Sequence, residues 1–190
     1  MKYGIWNEKQ PDMGAVNALV GAGYAPLSAM VLACRGIETG DQAKKYLDCN
    51  APLLDPFLMT DMALAAGRVG IAIEKGEKIA VFGDYDVDGI TATCLLTDFL
   101  RRHGANCVSY IPGRLEEGYG LNAIALRQLS ADGVKLIVTV DCGITAVEEA
   151  KLCRELGMEL VITDHHECKE TLPQAVAVVD PHRPDGGYPH

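Results

Sequence analysis

The chain has 190 residues, 48% of them hydrophobic, and a formal net charge of −9. That length suits one domain with an appendage, the apolar share is ample for a core, and the longest apolar stretch, Ala25 to Cys34 with Pro26 and Ser28 inside it, is too short to span a bilayer. A soluble protein with no membrane partner is expected. The net acidity speaks against a broad electrostatic face for nucleic acid, although divalent cations at an acidic site would offset part of it.

The N-terminus, MKYGIWNEKQ, lacks the apolar segment and small-residue cleavage site of a signal peptide. The seven cysteines are odd in number, scattered and without a CxxC pair. Both features predict a reducing, cytoplasmic location.

In chain order, residues 1 to 75 read as a helical N-terminal extension packed on the core. Asp12 to Ala22, Pro26 to Arg35, Thr39 to Asp48 and Thr60 to Lys75 carry helix formers, and Gly36, Gly40, Asn50, Pro52 and Pro56 punctuate them as turn and cap residues do. From Lys78 the pattern changes to apolar runs of strand length at Ile79 to Phe82, Cys107 to Ile111, Leu136 to Val140, Leu160 to Ile162 and Ala175 to Val179. Helical stretches separate the first four. Near-continuous apolar runs suit parallel strands covered on both faces. Between the first two, Ala92, Leu95, Leu96 and Phe99 stand at i, i+3, i+4 and i+7, the stripe of a helix packed on a sheet. The predicted fold is therefore α/β, a doubly wound, mainly parallel sheet over residues 76 to 190.

Acidic clusters stand where these strands end. Gly83-Asp84-Tyr85-Asp86-Val87-Asp88-Gly89 follows IAVF, Asp141 follows KLIVTV, and Asp164-His165-His166 follows ELVIT. Three carboxylates at alternate positions repel one another, and bound cation is the simplest relief. Open parallel sheets bind ligands outside the carboxyl ends of their strands. Adjacent strands lie about 4.8 Å apart and a catalytic metal pair about 3.5 to 4 Å apart, so loops from neighbouring strands can share two ions. Carboxylates with imidazole favour Mn²⁺ or Mg²⁺ over structural zinc.

Other readings of the pieces fit less well. DYDVDG matches the opening of a calcium loop, but position twelve would be Leu95 in place of a bidentate Glu, and a strand precedes it instead of a helix. The aspartyl-nucleophile phosphatases run their strand directly into D-x-D-G-T, whereas Gly83 to Tyr85 intervene here. Asp164 and Asp141 taken singly could be helix caps; their joint placement at strand ends is the stronger observation.

Taken in order, GDYDVDG, VDCGI and DHH resemble the motifs of the DHH phosphoesterase superfamily. RGIETGDQAKKYL, DPFLMTDM, IPGRLEEGYGL and VVDPHRP extend the resemblance to the RecJ-type single-strand-specific exonucleases across nearly the whole chain. The resemblance implies a two-metal phosphoesterase that degrades single-stranded DNA from 5′ to 3′ in repair and recombination, with single-strand-binding protein and a helicase as further partners. It assigns Asp84, Asp86, Asp88, Asp141 and His165 to metal, and His166 to the phosphate. Asp164 orients an imidazole or caps the following turn, in support of His166 and Asp141 as catalytic residues. Arg114 is a clamp for a DNA phosphate and Tyr119 a stacking platform for a base. His182 and Arg183 read more simply as structural residues. Two other functions share the motifs: a small-substrate phosphodiesterase or pyrophosphatase, and a non-catalytic replication scaffold, which would be expected to have lost site acids.

One departure carries an expectation of its own. The family supplies a further aspartate ligand and a closing domain downstream of DHH, while here only Asp180 and Asp185 follow Glu170 as acids, neither at the expected place. The core is thus expected to be incomplete at its C-terminus, to fold, and to bind Mn²⁺ and DNA weakly.

Overall fold

A computed structural model describes residues 7–49, 52–113, 118 and 120–189. Arg114 and Tyr119 lie outside the described residues. The chain separates into compact units spanning residues 1–53 and 54–190.

The first unit contains α1 (Met13–Gly21), α2 (Pro26–Cys34) and α3 (Gly40–Tyr46). Their starts follow capping chemistry. Asp12 accepts from Ala15 N ahead of α1, Pro26 occupies the first turn of α2, and Thr39 with Gln42 forms a capping box on α3. Val16, Leu19, Ala29, Leu32, Ile37 and Ala43 close a small core of their own.

The second unit holds a 3₁₀ turn at Pro56–Leu58, then α4 (Met62–Glu74), β1 (Ile79–Phe82), α5 (Val87–Arg102), β2 (Cys107–Tyr110), α6 (Ala123–Ala131), β3 (Leu136–Val140), α7 (Val147–Glu155), β4 (Glu159–Thr163) and β5 (Ala177–Val179). All strand pairs are parallel, in the order β2-β1-β3-β4-β5. This is the predicted doubly wound sheet. β1, β3 and β5 are buried along their whole length, as a sheet covered on both faces requires. Ala80, Phe82, Ile137, Ile162 and Val178 pack under α6 and α7, while Ile79, Val81, Val138, Val161 and Val179 pack under α4 and α5. Each fully buried large side chain contributes about 1.5 to 3 kcal/mol.

Two expectations change. The division placed after residue 75 falls instead after Leu53, because α4 packs against β5 and its Ala65 and Ala72 share a core with the strands. The predicted stripe on α5 is also rotated. Leu95 and Phe99 are exposed, and the fully buried positions are Gly89, Thr93, Thr97 and Leu100. The reason is a close approach at the first turn of α5. A Cβ on Gly89 would overlap the Asp84 backbone, and one on Gly83 would overlap the Thr93 hydroxyl. Only glycine at both positions lets the helix sit this low on β1, and that contact turns its small residues inward.

Strand order places the site. β1 and β3 are neighbours, with Phe82 paired to Thr139, although the chain forms β2 between them. The chain reverses its direction of winding between these two strands, which makes a crevice at their carboxyl ends.

Candidate metal centre

Asp84 directly follows Gly83 beyond β1 and is buried at 2% exposure. Its Oδ1 has no hydrogen-bond partner among the described residues. Two positions on, Asp86 is the N-cap of α5, and its Oδ1 accepts from Gly89 N at 3.0 Å. That bond holds Asp86 in extended backbone at the crevice. Asp88 has already entered the first helical turn.

Asp141 follows β3 in the left-handed region, with φ 61. A non-glycine residue there is strained. Its N–H donates to Thr163 O at 3.1 Å, an extension of the β3–β4 ladder that fixes the turn. From β4, His165 brings Nε2 to 2.9 Å from Asp141 Oδ1.

Asp164 organises the rest. Its Oδ2 accepts from Ile144 N at 2.9 Å, tying the end of β4 to the loop after β3. Its Oδ1 accepts from His165 N at 2.7 Å and faces His166 Nδ1 at 2.7 Å. A carboxylate at Nδ1 fixes the tautomer protonated there and leaves the lone pair on Nε2. The two imidazoles lie 4.7 Å apart, centroid to centroid.

Among the described residues, ligand-capable atoms fall into two groups, Asp84 with Asp86 and Asp141, and Asp141 with His165 and His166, each residue offering one atom and those atoms lying within 4.8 Å of one another. Asp141 belongs to both. Asp88 enters neither group and lines the adjoining cavity; the alternation that holds for a strand ends where α5 begins. His166, which the sequence reading assigns to phosphate, stands beside His165 among the ligand-capable atoms.

Charge follows from this crowding. Burial, opposed by the His165 hydrogen bond, and the nearby Asp86 charge hold the Asp141 carboxyl above the usual carboxylate range. Asp86 is held below it, foremost by the Gly89 N–H. The Asp164 hydrogen bond raises His166 above an ordinary imidazole. A buried acid at Asp84, two acids in contact and two imidazoles form a donor set of oxygen and nitrogen suited to a divalent cation of the Mn²⁺ or Mg²⁺ type.

Asp180, which the sequence offers as an acid away from the expected place of a further ligand, has a placement of its own. It follows the apolar run AVAVV as the other acids follow theirs, and it is buried at the end of β5 with its pKa raised by burial. Its Oδ1 caps His182 N at 2.7 Å, so His182 is engaged by its backbone. Arg183 donates to Asp61, Asp185 and Val178 O, a structural role.

Comparison with known proteins identifies the family. The single-stranded-DNA-specific exonuclease RecJ of Bacillus subtilis is 42% identical over 186 residues, covering 97% of this chain and 24% of that protein. A crystal structure of exonuclease RecJ bound to manganese superposes with a TM-score of 0.64 at 37% identity, covering 70% of this chain and 34% of the other. RecJ of Thermus thermophilus in complex with Mn²⁺ gives 0.66 at 29% identity, covering 94% and 25%. The chain thus spans about a quarter of the length of the curated relative. The family model described as "DHH family, N-terminal domain" matches residues 78–187, more than half of the sequence, and the chain belongs to the DHH family.

Proposed function

We propose that the chain carries the metal-binding part of a phosphodiesterase that hydrolyses single-stranded DNA from its 5′ end. The observation that supports this most is the double membership of Asp141, which joins the β1 acids to the β4 imidazoles in one crevice. The relatives named single-stranded-DNA-specific exonuclease, and the manganese bound in the similar structures, support the substrate and the ion. On this reading Asp84, Asp86, Asp141 and His165 hold two Mn²⁺ or Mg²⁺ ions, with Asp88 at their margin.

When bound, the ion pair lowers the pKa of water and draws charge off the phosphate oxygens in an in-line displacement. The chain's own residues do the rest. Asp141 and His165 fix the positions of the donors, and Asp164 engages His166 at Nδ1, so that His166 Nε2 donates to a phosphate oxygen when the ring is protonated and offers its lone pair as a ligand when the ring is neutral. Arg114 and Tyr119 are proposed as contacts to the DNA phosphate and a base. Repair and recombination in the cytoplasm, with single-strand-binding protein and a helicase as partners, complete the proposal.

The test is Mn²⁺ calorimetry on the chain, beside degradation of a 5′-labelled single strand, of pyrophosphate and of a dinucleotide. The proposal expects Mn²⁺ binding and slow Mn²⁺-dependent shortening of the strand. Cleavage of pyrophosphate or the dinucleotide alone would favour the small-substrate reading. Binding with no hydrolysis of any substrate, even beside a longer relative that cuts, would favour a non-catalytic role.

A further inference from the structure

Beside the acids and imidazoles lies a cavity of about 400 Å³, at the lower end of the size of small-ligand pockets. One wall is charged, with Asp88, Asp141 and His165. The apolar part of the lining is Met59, Met62, Ala92, Val140 and Val179, none of which has a side-chain hydrogen-bond donor or acceptor of ordinary strength; Thr163 and Asp164 also line the cavity, with the Thr163 hydroxyl donating to Thr139 O and the Asp164 carboxylate accepting from Ile144 N and His165 N. Val140 and Val179 are buried ends of β3 and β5, and the two methionines pack on them from the turn that leads into α4.

That turn is held in place. Asp61, between the methionines, has φ 63 and accepts at Oδ2 from Val178 N at 3.1 Å and from Arg183 Nη1 at 2.7 Å. Arg183 Nη1 also donates to Val178 O at 2.6 Å, and its side chain is only 8% exposed. The turn between the two methionines is thereby pinned to β5.

We infer that this apolar wall is a nucleobase subsite, which accepts the base next to the phosphate at the metal centre and does so without reading its identity. The inference rests on the phosphoester reading above. A phosphate held at the charged groups leaves the nucleoside inside a cavity of about 400 Å³, and the apolar part of that cavity's lining offers it no hydrogen bond. Thioether sulfur makes favourable contacts with aromatic rings and adapts to their outline. A wall with no directional donor gives purine and pyrimidine the same reception, as sequence-tolerant single-strand binding requires.

The experiment compares thymidine 5′-monophosphate with 2-deoxyribose 5-phosphate on the 190-residue chain in saturating Mn²⁺, by calorimetry and by the ¹³C-methyl signals of Met59 and Met62. The nucleotide should bind about tenfold more tightly than the sugar phosphate, and its ring current should move both methyl signals. Met59→Ala with Met62→Ala should remove that preference while the sugar phosphate binds as before. The four deoxynucleotides should agree within about threefold, the spread expected of sequence-tolerant contact. Equal affinity for the two thymidine-series ligands with unmoved methyl signals would overturn the subsite and leave the metal reading standing. Strong preference for one base would overturn its indifference to sequence. If neither phosphate binds, the phosphoester reading falls and the subsite with it.

Discussion

His165 Nε2 stands 2.9 Å from Asp141 Oδ1, although 24 residues and the whole of α7 separate them in the chain. The pairing of β3 with β4 makes the contact possible, and the bond from Asp141 N to Thr163 O sets its register. An acid and an imidazole at adjacent strand ends can receive one cation between them.

The conformation of Asp141 has a stability consequence. Its φ of 61 costs a non-glycine residue about 1 kcal/mol or more, and burial makes its charge unfavourable without a cation. Asp141→Gly should therefore raise metal-free stability by about 1 kcal/mol, read as a higher urea midpoint, while losing Mn²⁺ binding. A lowered midpoint would contradict the strain.

The pH dependence of the metal-free chain follows from His166. Its pKa is raised, chiefly by the Asp164 hydrogen bond, so the protonated form gains in the folded state. That stabilisation is complete below the ordinary imidazole value of about 6.5 and disappears as pH rises through the folded value. An NMR titration should place His166 above an ordinary imidazole, and Asp164→Asn should bring it down. Mn²⁺ affinity should rise with pH, because protons on His166 and Asp141 compete with the ion.

Gly89 is predicted to be intolerant of any side chain. A methyl group there meets the Asp84 backbone, so α5 must lift from β1. Gly89→Ala should cost about 1 to 3 kcal/mol, with Asp86 drawn away from Asp141. A calorimetric melt unchanged from the parent sequence would refute the close approach.

Arg183 is predicted to matter for folding before function. Its guanidinium is held above its ordinary range by Asp185 and Asp61, and it ties the Met59 to Met62 turn to β5. Arg183→Ala leaves Asp61 without its cation, and since Asp61 is 26% exposed the cost should be about 2 kcal/mol, below the roughly 3 to 5 kcal/mol of breaking a fully buried pair. Denaturant unfolding reads this directly.

Much of this was legible in the sequence alone. Apolar runs of strand length announced β1 to β5, and an acid after each of β1, β3 and β4 announced the crevice, because a parallel sheet delivers residues after its strands to one edge. Four features were less legible. The face of α5 was misread because hydrophobic periodicity weighs Leu95 and Phe99 above Gly89 and Thr93, whereas close backbone approach selects small residues. Asp88 looked equivalent to Asp84 and Asp86 until a helix began between them. α4 looked like part of the N-terminal helices because nothing local in its sequence says which core it joins. The apolar wall depends on an ion pair between Asp61 and Arg183, 122 residues apart, a separation that no local pattern reveals.

The central claim is that Asp141 joins two ligand groups into one metal centre, and Mn²⁺ calorimetry on the chain and on Asp141→Asn tests it most directly. Asparagine keeps the shape and carries no more strain than aspartate in the left-handed backbone, so folding should be preserved. The account predicts that Mn²⁺ affinity falls at least about tenfold, the lower end of the effect of losing a partner at a metal site. An Asp141→Asn chain that binds Mn²⁺ as the parent sequence does, in affinity and stoichiometry, would contradict it.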